Sequence, residues 1–134
     1  MKKLCIFFGL FFIILSCKKE IIVPNDGIYR GVFNEIWASG DTAASGVVWL
    51  ALFEESQTFS MIGDSNTSAP HNQNGTYLIQ DAKFIQFSLV GAASGGYDDD
   101  HILDTTYQYT FDNKIFEFFL QDDTILYEYR LTRK

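Results

Sequence analysis

Apolar and polar residues alternate along most of this chain after residue 26, in short stretches separated by clusters of Gly, Asn, Asp and Ser. Alternation with a period of two is typical of β-strands that bury one face, and clusters of this composition are typical of the turns between them. Apolar residues at helical spacing, with caps, are absent from this part of the chain. The pattern therefore predicts an all-β domain.

Eight short strands are predicted from the alternation. They cover residues 27–37, 46–53, 57–62, 76–80, 83–90, 102–111, 114–121 and 124–132. Three connections between them are long, at residues 38–45, 63–75 and 91–101, whereas Asp81-Ala82, Asp112-Asn113 and Asp122-Asp123 have the length and composition of tight hairpin turns. Sequential hairpins leave two sheet edges to protect, and closure into a single antiparallel up-and-down β-barrel removes both. A two-sheet β-sandwich is the alternative.

The first sixteen residues have a different character. Two lysines precede an uncharged apolar run from Leu4 to Leu15, which is the layout of a signal peptide. A membrane-spanning helix needs about 20 apolar residues, so this run is too short for a permanent anchor. The sequence Ile14-Leu15-Ser16-Cys17 resembles the lipobox of bacterial lipoproteins. The resemblance implies cleavage before Cys17, lipid attachment (diacylglycerol and palmitate-type acyl chains) to its thiol, and a lipidated tether at residues 17–25.

The remaining residues, 26–134, are expected to form one domain. Its strands resemble those of the small lipocalin-like lipoproteins of Bacteroidetes-type bacteria, through the lipobox and short tether, Gly27-Ile28-Tyr29, Gly75-Thr76-Tyr77 and the closing Tyr127-x-Tyr129-Arg-Leu-Thr-Arg. The resemblance implies a lipocalin-like barrel held by its lipid in the cell envelope, on the periplasmic or outer surface of the outer membrane.

The charge of the predicted mature chain excludes one class of partner. Without Lys2 and Lys3 it has eight Lys and Arg against seventeen Asp and Glu, a formal charge of −9. Nucleic-acid binding depends on basic patches, and no basic stripe is present.

Since Cys5 leaves with the signal peptide and Cys17 is acylated, no disulfide is expected.

Residues that carry chemistry elsewhere do not form a known catalytic or metal-binding pattern here. Asp98-Asp99-Asp100 with His101 lacks the alternating ligands of a calcium loop, and His71 and His101 lie in separate loops without zinc-ligand spacing. The loop serines lack a nucleophile elbow. Glu117 and Glu128 are expected on a solvated outer face. The sequence therefore predicts neither an enzyme nor a metal or other cofactor, and leaves weak calcium binding by Asp98–Asp100 open.

Aromatic residues give the remaining functional signal. Tyr107, Tyr109 and Phe111 share one face of a predicted strand, Phe116 and Phe118 one face of the next, and Tyr127 and Tyr129 one face of the last. Trp49 and Phe87 join them if their face is the barrel interior. An eight-stranded barrel is either filled by its side chains or holds one small ligand. The candidate ligand-binding residues are Trp49, Phe87, Tyr107, Tyr109 and Tyr127.

Two functions follow from these features. The first is a non-enzymatic barrel that binds a small apolar or aromatic molecule in its interior. The second is an interaction or inhibitor module of an envelope complex, in which the long loops contact a partner protein.

Overall fold

A computed structural model of the chain describes residues 22–91 and 103–134. This part of the chain is all-β and none of it forms a helix that could cross a bilayer. Its eight strands are β1 (Gly27–Trp37), β2 (Thr42–Phe53), β3 (Thr58–Gly63), β4 (Gln73–Gln80), β5 (Phe84–Leu89), β6 (Thr106–Phe111), β7 (Ile115–Gln121) and β8 (Ile125–Arg133).

The strands form a closed antiparallel up-and-down barrel. Each strand pairs with the next along the chain, and β1 pairs with β8, from Tyr29 opposite Arg133 to Trp37 opposite Ile125. Closure leaves no sheet edge with unpaired backbone groups. The barrel predicted from the sequence is confirmed, and the sandwich is not formed.

Three predicted strand starts are wrong, those of β2, β4 and β6. β2 begins at Thr42 rather than Gly46, because its first residues extend the pairing with β1 past a bulge at Glu35 and Ile36. β4 begins at Gln73 rather than Thr76, because Gln73 and Asn74 pair with Met61 and Ser60 of β3. β6 begins at Thr106 instead of residue 102, and residue 102 itself lies outside the described residues. The other boundaries shift by one residue or so.

The three predicted tight turns are hairpin turns, but each has three residues outside the strands rather than two, and the first is 81–83. At Asp81-Ala82 both residues have positive φ, 51° and 52°, as a type I′ hairpin turn requires, and Lys83 N donates to Gln80 O at 3.2 Å. The β6–β7 and β7–β8 connections have three residues, 112–114 and 122–124.

Asp112 and Asp122 form the same pair of hydrogen bonds in the β6–β7 and β7–β8 turns. Asp112 Oδ1 accepts hydrogen bonds from the backbone N–H groups of Lys114 and Ile115, at 3.1 and 2.6 Å. Asp122 Oδ1 does the same with Thr124 and Ile125, at 2.8 and 2.7 Å. These bonds to the ionised form lower the pKa of both carboxyls.

The up-and-down order sorts the connections to two ends of the barrel. The N-terminal end consists of residues 22–26, the connections 54–57, 81–83 and 112–114, and Lys134. The loop end consists of the connections 38–41, 64–72 and 122–124, together with the described residues between β5 and β6, which are 90–91 and 103–105. Two of the long loops predicted from the sequence, 38–45 and 63–75, therefore belong to one end, opposite the point where the chain enters the barrel. The third, 91–101, lies outside the described residues except for Gly91.

Candidate functional site

Four of the five predicted ligand-binding residues face the barrel interior. Phe87, Tyr107, Tyr109 and Tyr127 come from β5, β6 and β8, and each is at most 7% exposed. Phe87 and Tyr107 contact each other edge to face, with ring centroids 5.9 Å apart. The shared aromatic faces predicted for the last three strands thus point into the barrel.

Trp49 does not join this interior group. It lies on the outer face of β2, half-buried, opposite Arg30 of β1, whose guanidinium carbon is 5.0 Å from the Trp49 ring centroid. The inward residues of β2 are Val48, Leu50 and Leu52. Because both faces of this strand are apolar, the alternation alone does not tell which set faces inward.

Aromatic rings cross the interior from one side of the barrel to the other. Phe59 of β3 lies 4.9 Å from Phe87 of β5, and Phe87 lies 5.4 Å from Phe118 of β7. Phe118 stacks on Tyr129 of β8 at 4.4 Å and 10°, and Tyr129 lies 4.9 Å from Phe33 of β1. Side chains from five strands therefore fill the barrel at this level.

Residues before β1 cover the N-terminal end. The Tyr29 hydroxyl donates to Asn25 O at 2.9 Å, Pro24 is buried, and Arg133 donates to Asp26 O at 2.5 Å. Asp26 also accepts a hydrogen bond from the backbone N–H of Glu54. The segment is thus bonded to the barrel at both β2 and β8.

Two buried polar atoms among the described residues have no hydrogen-bond partner: the Tyr109 hydroxyl and Asn25 Oδ1. Tyr109 lies in the half of β6 that leads to the N-terminal end, and Asn25 lies in the segment that covers that end. Buried polar groups are nearly always hydrogen-bonded, so each of these two atoms has capacity for one further hydrogen-bond partner.

The interior tyrosines stay protonated at neutral pH. Burial raises the pKa of Tyr107 and of Tyr129 well above the usual range, and the neighbouring Tyr127 raises both further. Burial, with Glu54 and Asp26 adding to it, raises the pKa of Tyr77 to about 12. The hydroxyls can exchange hydrogen bonds, but they do not supply a base.

Part of the β3–β4 connection folds inward at the loop end. Ala69 and Pro70 are buried against two glycines, Gly46 of β2 and Gly63 of β3. A Cβ at Gly63 would come within 1.8 Å of Pro70 O, so only glycine permits this approach. The buried Gln73 Oε1 accepts a hydrogen bond from Leu103 N at 2.7 Å, which connects this segment to the β5–β6 connection.

Charge is distributed unequally between the two ends. Within the described parts of the loop end there are five carboxylates and no lysine or arginine: Asp41, Asp64, Asp104, Asp122 and Asp123. The six cations of the described residues lie in the other half of the barrel: Arg30, Lys83, Lys114, Arg130, Arg133 and Lys134. The loop end therefore carries a negative field that favours positively charged partners.

The glutamates expected on a solvated outer face make surface contacts. Glu117 Oε1 lies 3.1 Å from Arg130 Nε, and Glu128 accepts a hydrogen bond from Asn34 at 3.4 Å. Both lie on the outer face as expected, and Glu54 and Glu55 lie in an exposed turn. Across residues 22–91 and 103–134, no three His, Cys, Asp or Glu are grouped so as to hold a metal ion. Asp98–Asp100 and His101, like Cys17, lie outside the described residues.

Two features of the surface and interior are absent from the sequence-based candidates. Phe59 completes the ring contacts across the barrel, and alternation within the third predicted strand contained the signal for it. The outer face of β2 is apolar as well, which the sequence showed without indicating a partner.

Comparison with known proteins identifies no relative of this chain: no family model, no curated protein and no solved structure matches it.

Proposed function

We propose that this chain is a lipid-anchored protein of the bacterial cell envelope, attached through Cys17 to the outer membrane, and that its barrel is a non-enzymatic interaction module whose loop end engages a partner protein. The observation that carries the proposal is the set of ring contacts from Phe59 through Phe118 to Phe33, which fill the barrel interior. A filled interior shifts binding to the outside of the barrel.

The loop end is the outside surface best suited to a protein partner. It contains the longest connections on a rigid scaffold, where binding residues are commonly found. It lies opposite the segment that leads to Cys17, so an anchor there leaves it accessible to a partner. Its five described carboxylates favour a partner with a basic surface, through faster and more selective association.

Site-specific photo-crosslinking in intact cells tests this proposal. A photoreactive amino acid at Ser39, Ser65 or Asp123 is expected to give the same crosslinked protein from all three loop-end positions. Matched positions at the N-terminal end, Gln57 and Asn113, are expected not to give it. Equal yields from both ends, or none from the loop end, would contradict the proposal.

A charge reversal makes the test specific. Asp123→Lys at the loop end should reduce the crosslink obtained from Ser39, because it weakens attraction to a basic partner. Glu55→Lys, also in an exposed turn but at the N-terminal end, is the control and should leave the yield unchanged.

A second candidate function is binding of a small ligand, which the lipocalin-like resemblance implies. The unpartnered Tyr109 hydroxyl and Asn25 Oδ1 favour it, since a polar group of a guest molecule would satisfy them. Native mass spectrometry of protein purified from its own envelope would then detect a bound small molecule, and Tyr109→Phe would lose it. An adduct-free parent protein that is stabilised by Tyr109→Phe would contradict this candidate.

A further inference from the structure

One side of the barrel carries an apolar surface on its outside. It is formed by seven residues of the first three strands, which we call the apolar face: Ile28, Val32, Val47, Trp49, Ala51, Phe53 and Ile62. Ile28, Phe53 and Ile62 are each at least half exposed, at 55%, 50% and 50%. A sheet exterior in water is normally polar, so this face requires an explanation.

The register makes the apolar face continuous across the three strands. Ile28 lies opposite Ala51 and Val32 opposite Val47 in the β1–β2 ladder, and Trp49 lies opposite Ile62 in the β2–β3 ladder. Side chains directly opposite each other on one face of a ladder are in contact range. The exposed apolar residues are thus neighbours rather than isolated positions.

The charge at the centre of the apolar face is positive, and Arg130 beside it is paired with Glu117 at 3.1 Å. Arg30 lies over Trp49 in its centre, and the outward residues of β8 beside it include Arg130 and Thr132. On the other side, Ser60 and Asn74 continue the ladder from Ala51. Asp26 and Glu54 lie beyond the ends of β1 and β2. Carboxylates thus lie at the margins of the apolar face, including Asp64, whose backbone N–H donates to Val47 O at 2.9 Å.

The chain enters the barrel next to the apolar face. β1, which supplies Ile28 and Val32, is the first strand after the described N-terminal segment, and Ile22 of that segment is itself 43% exposed. Ile22 follows Cys17 by five positions along the chain, a span of at most about 18 Å when fully extended. A lipid on Cys17 would therefore hold the N-terminal end of the barrel, where β1 and its Ile28 begin, close to the bilayer surface.

We propose that the apolar face docks on the lipid bilayer that holds the acyl chains of Cys17, and that anionic headgroups are the preferred contact. Tryptophan is favoured at the headgroup level of a membrane, arginine binds phosphate groups in a bidentate manner, and apolar side chains enter the boundary of the acyl region. The proposal rests on the proposed lipid anchor. It places the barrel on its side, with the acidic loop end accessible beside the membrane.

The two tryptophans provide reporters on different parts of the barrel. Trp49 lies in the apolar face, whereas Trp37, 56% exposed, lies at the end of β1 next to the loop end. Trp37→Phe leaves Trp49 as the single tryptophan, and Trp49→Phe leaves Trp37. Both variants would be prepared as the full lipidated protein in vesicles of phosphatidylethanolamine and phosphatidylglycerol that contain lipids brominated near the headgroup.

The proposal predicts that brominated lipids quench Trp49 fluorescence several-fold more than Trp37 fluorescence. In the Trp37→Phe background, Arg30→Glu should reduce the quenching of Trp49, because it replaces the central cation by a carboxylate. Lys114→Glu changes charge equally but lies in the β6–β7 turn, across the barrel from β2, and should leave the quenching unchanged. Equal quenching of both tryptophans would overturn the docking.

The mass of the same protein sample separates failure of docking from failure of the anchor. Acylated protein whose Trp49 is not quenched would overturn the docking alone, and sedimentation as a dimer would then assign the apolar face to a second copy of the chain. Protein without acyl chains would overturn the proposed anchor, and the docking with it.

Discussion

Phe118 contacts four aromatic rings in the described interior. Its ring contacts those of Phe87 and Tyr107 at 5.4 Å, Phe116 at 5.0 Å and Tyr129 at 4.4 Å. Such ring pairs contribute about 0.5–1.5 kcal/mol each beyond the burial of their area. The stability of the barrel should therefore depend strongly on this one side chain.

Replacement of two neighbouring phenylalanines tests this dependence. Phe118→Ala should lower the free energy of unfolding by about 3–5 kcal/mol, because it leaves a cavity among the rings. Phe119→Ala changes the same residue type on the half-exposed outer face and should cost far less. Urea unfolding followed by circular dichroism measures both, and equal losses would contradict the assigned faces of β7.

The side of a strand that faces the barrel interior was predictable from the sequence where the opposite side is polar. The last three strands alternate between aromatic and polar residues, so their inward faces were predicted correctly. Trp49 was ambiguous because β2 is apolar on both sides. The pairing partners that decide its face come from distant parts of the chain.

At the scale of elements, the β4–β5 turn contains a local conflict between sequence and conformation. Ala82 adopts φ of 52°, in the left-handed region that residues with a Cβ rarely occupy. The closed barrel fixes the register of both strands and thereby holds the turn in this conformation.

Ala82→Gly should accordingly stabilise the barrel by about 1 kcal/mol, because glycine adopts positive φ without the steric cost. Ala51→Gly is the control within β2, where glycine should destabilise by about 0.5–1 kcal/mol. The midpoint of thermal unfolding measures both changes. A lower midpoint for Ala82→Gly would mean that the turn does not have this geometry in solution.

The bounds of the elements were less predictable than their number. Gln73 and Asn74 follow a polar stretch that resembles a loop, yet they pair with β3, and Gln73 is buried by its bond with Leu103. The bulge that extends β2 to Thr42 likewise depends on contacts with β1. Tertiary pairing, which local composition does not encode, sets these limits.

For the whole molecule, the buried tyrosines predict a loss of stability in alkali. Burial raises the pKa of five of the seven tyrosines above the ordinary value of 10: Tyr29, Tyr77, Tyr107, Tyr109 and Tyr129. Well below pH 10 these tyrosines are uncharged in both the folded and the unfolded protein. Above pH 10 the unfolded chain ionises first, so the stability that these groups contribute is lost as pH rises further.

Unfolding in urea at a series of pH values from 7 to beyond 10 measures this effect. The free energy of unfolding should fall steeply above pH 10, and the absorbance of tyrosinate should rise together with loss of the barrel. Ionisation of all seven tyrosines near pH 10 with the barrel intact would contradict the buried positions of these rings.

The sequence predicted the closed barrel because sequential hairpins and the edge problem together leave few solutions. It did not predict that the interior is bridged by rings, since filling depends on which side chains meet across the barrel. That distinction favours the outer surfaces, the loop end and the apolar face, as the places where this protein acts.

The proposals on both outer surfaces depend on the lipid at Cys17. Its most direct test is the intact mass of the protein purified from its native membranes, with fragmentation of the N-terminal peptide. We predict a chain that begins at Cys17 and carries diacylglycerol and acyl mass on that residue. A mature chain that begins elsewhere, or an unmodified Cys17, would contradict the account.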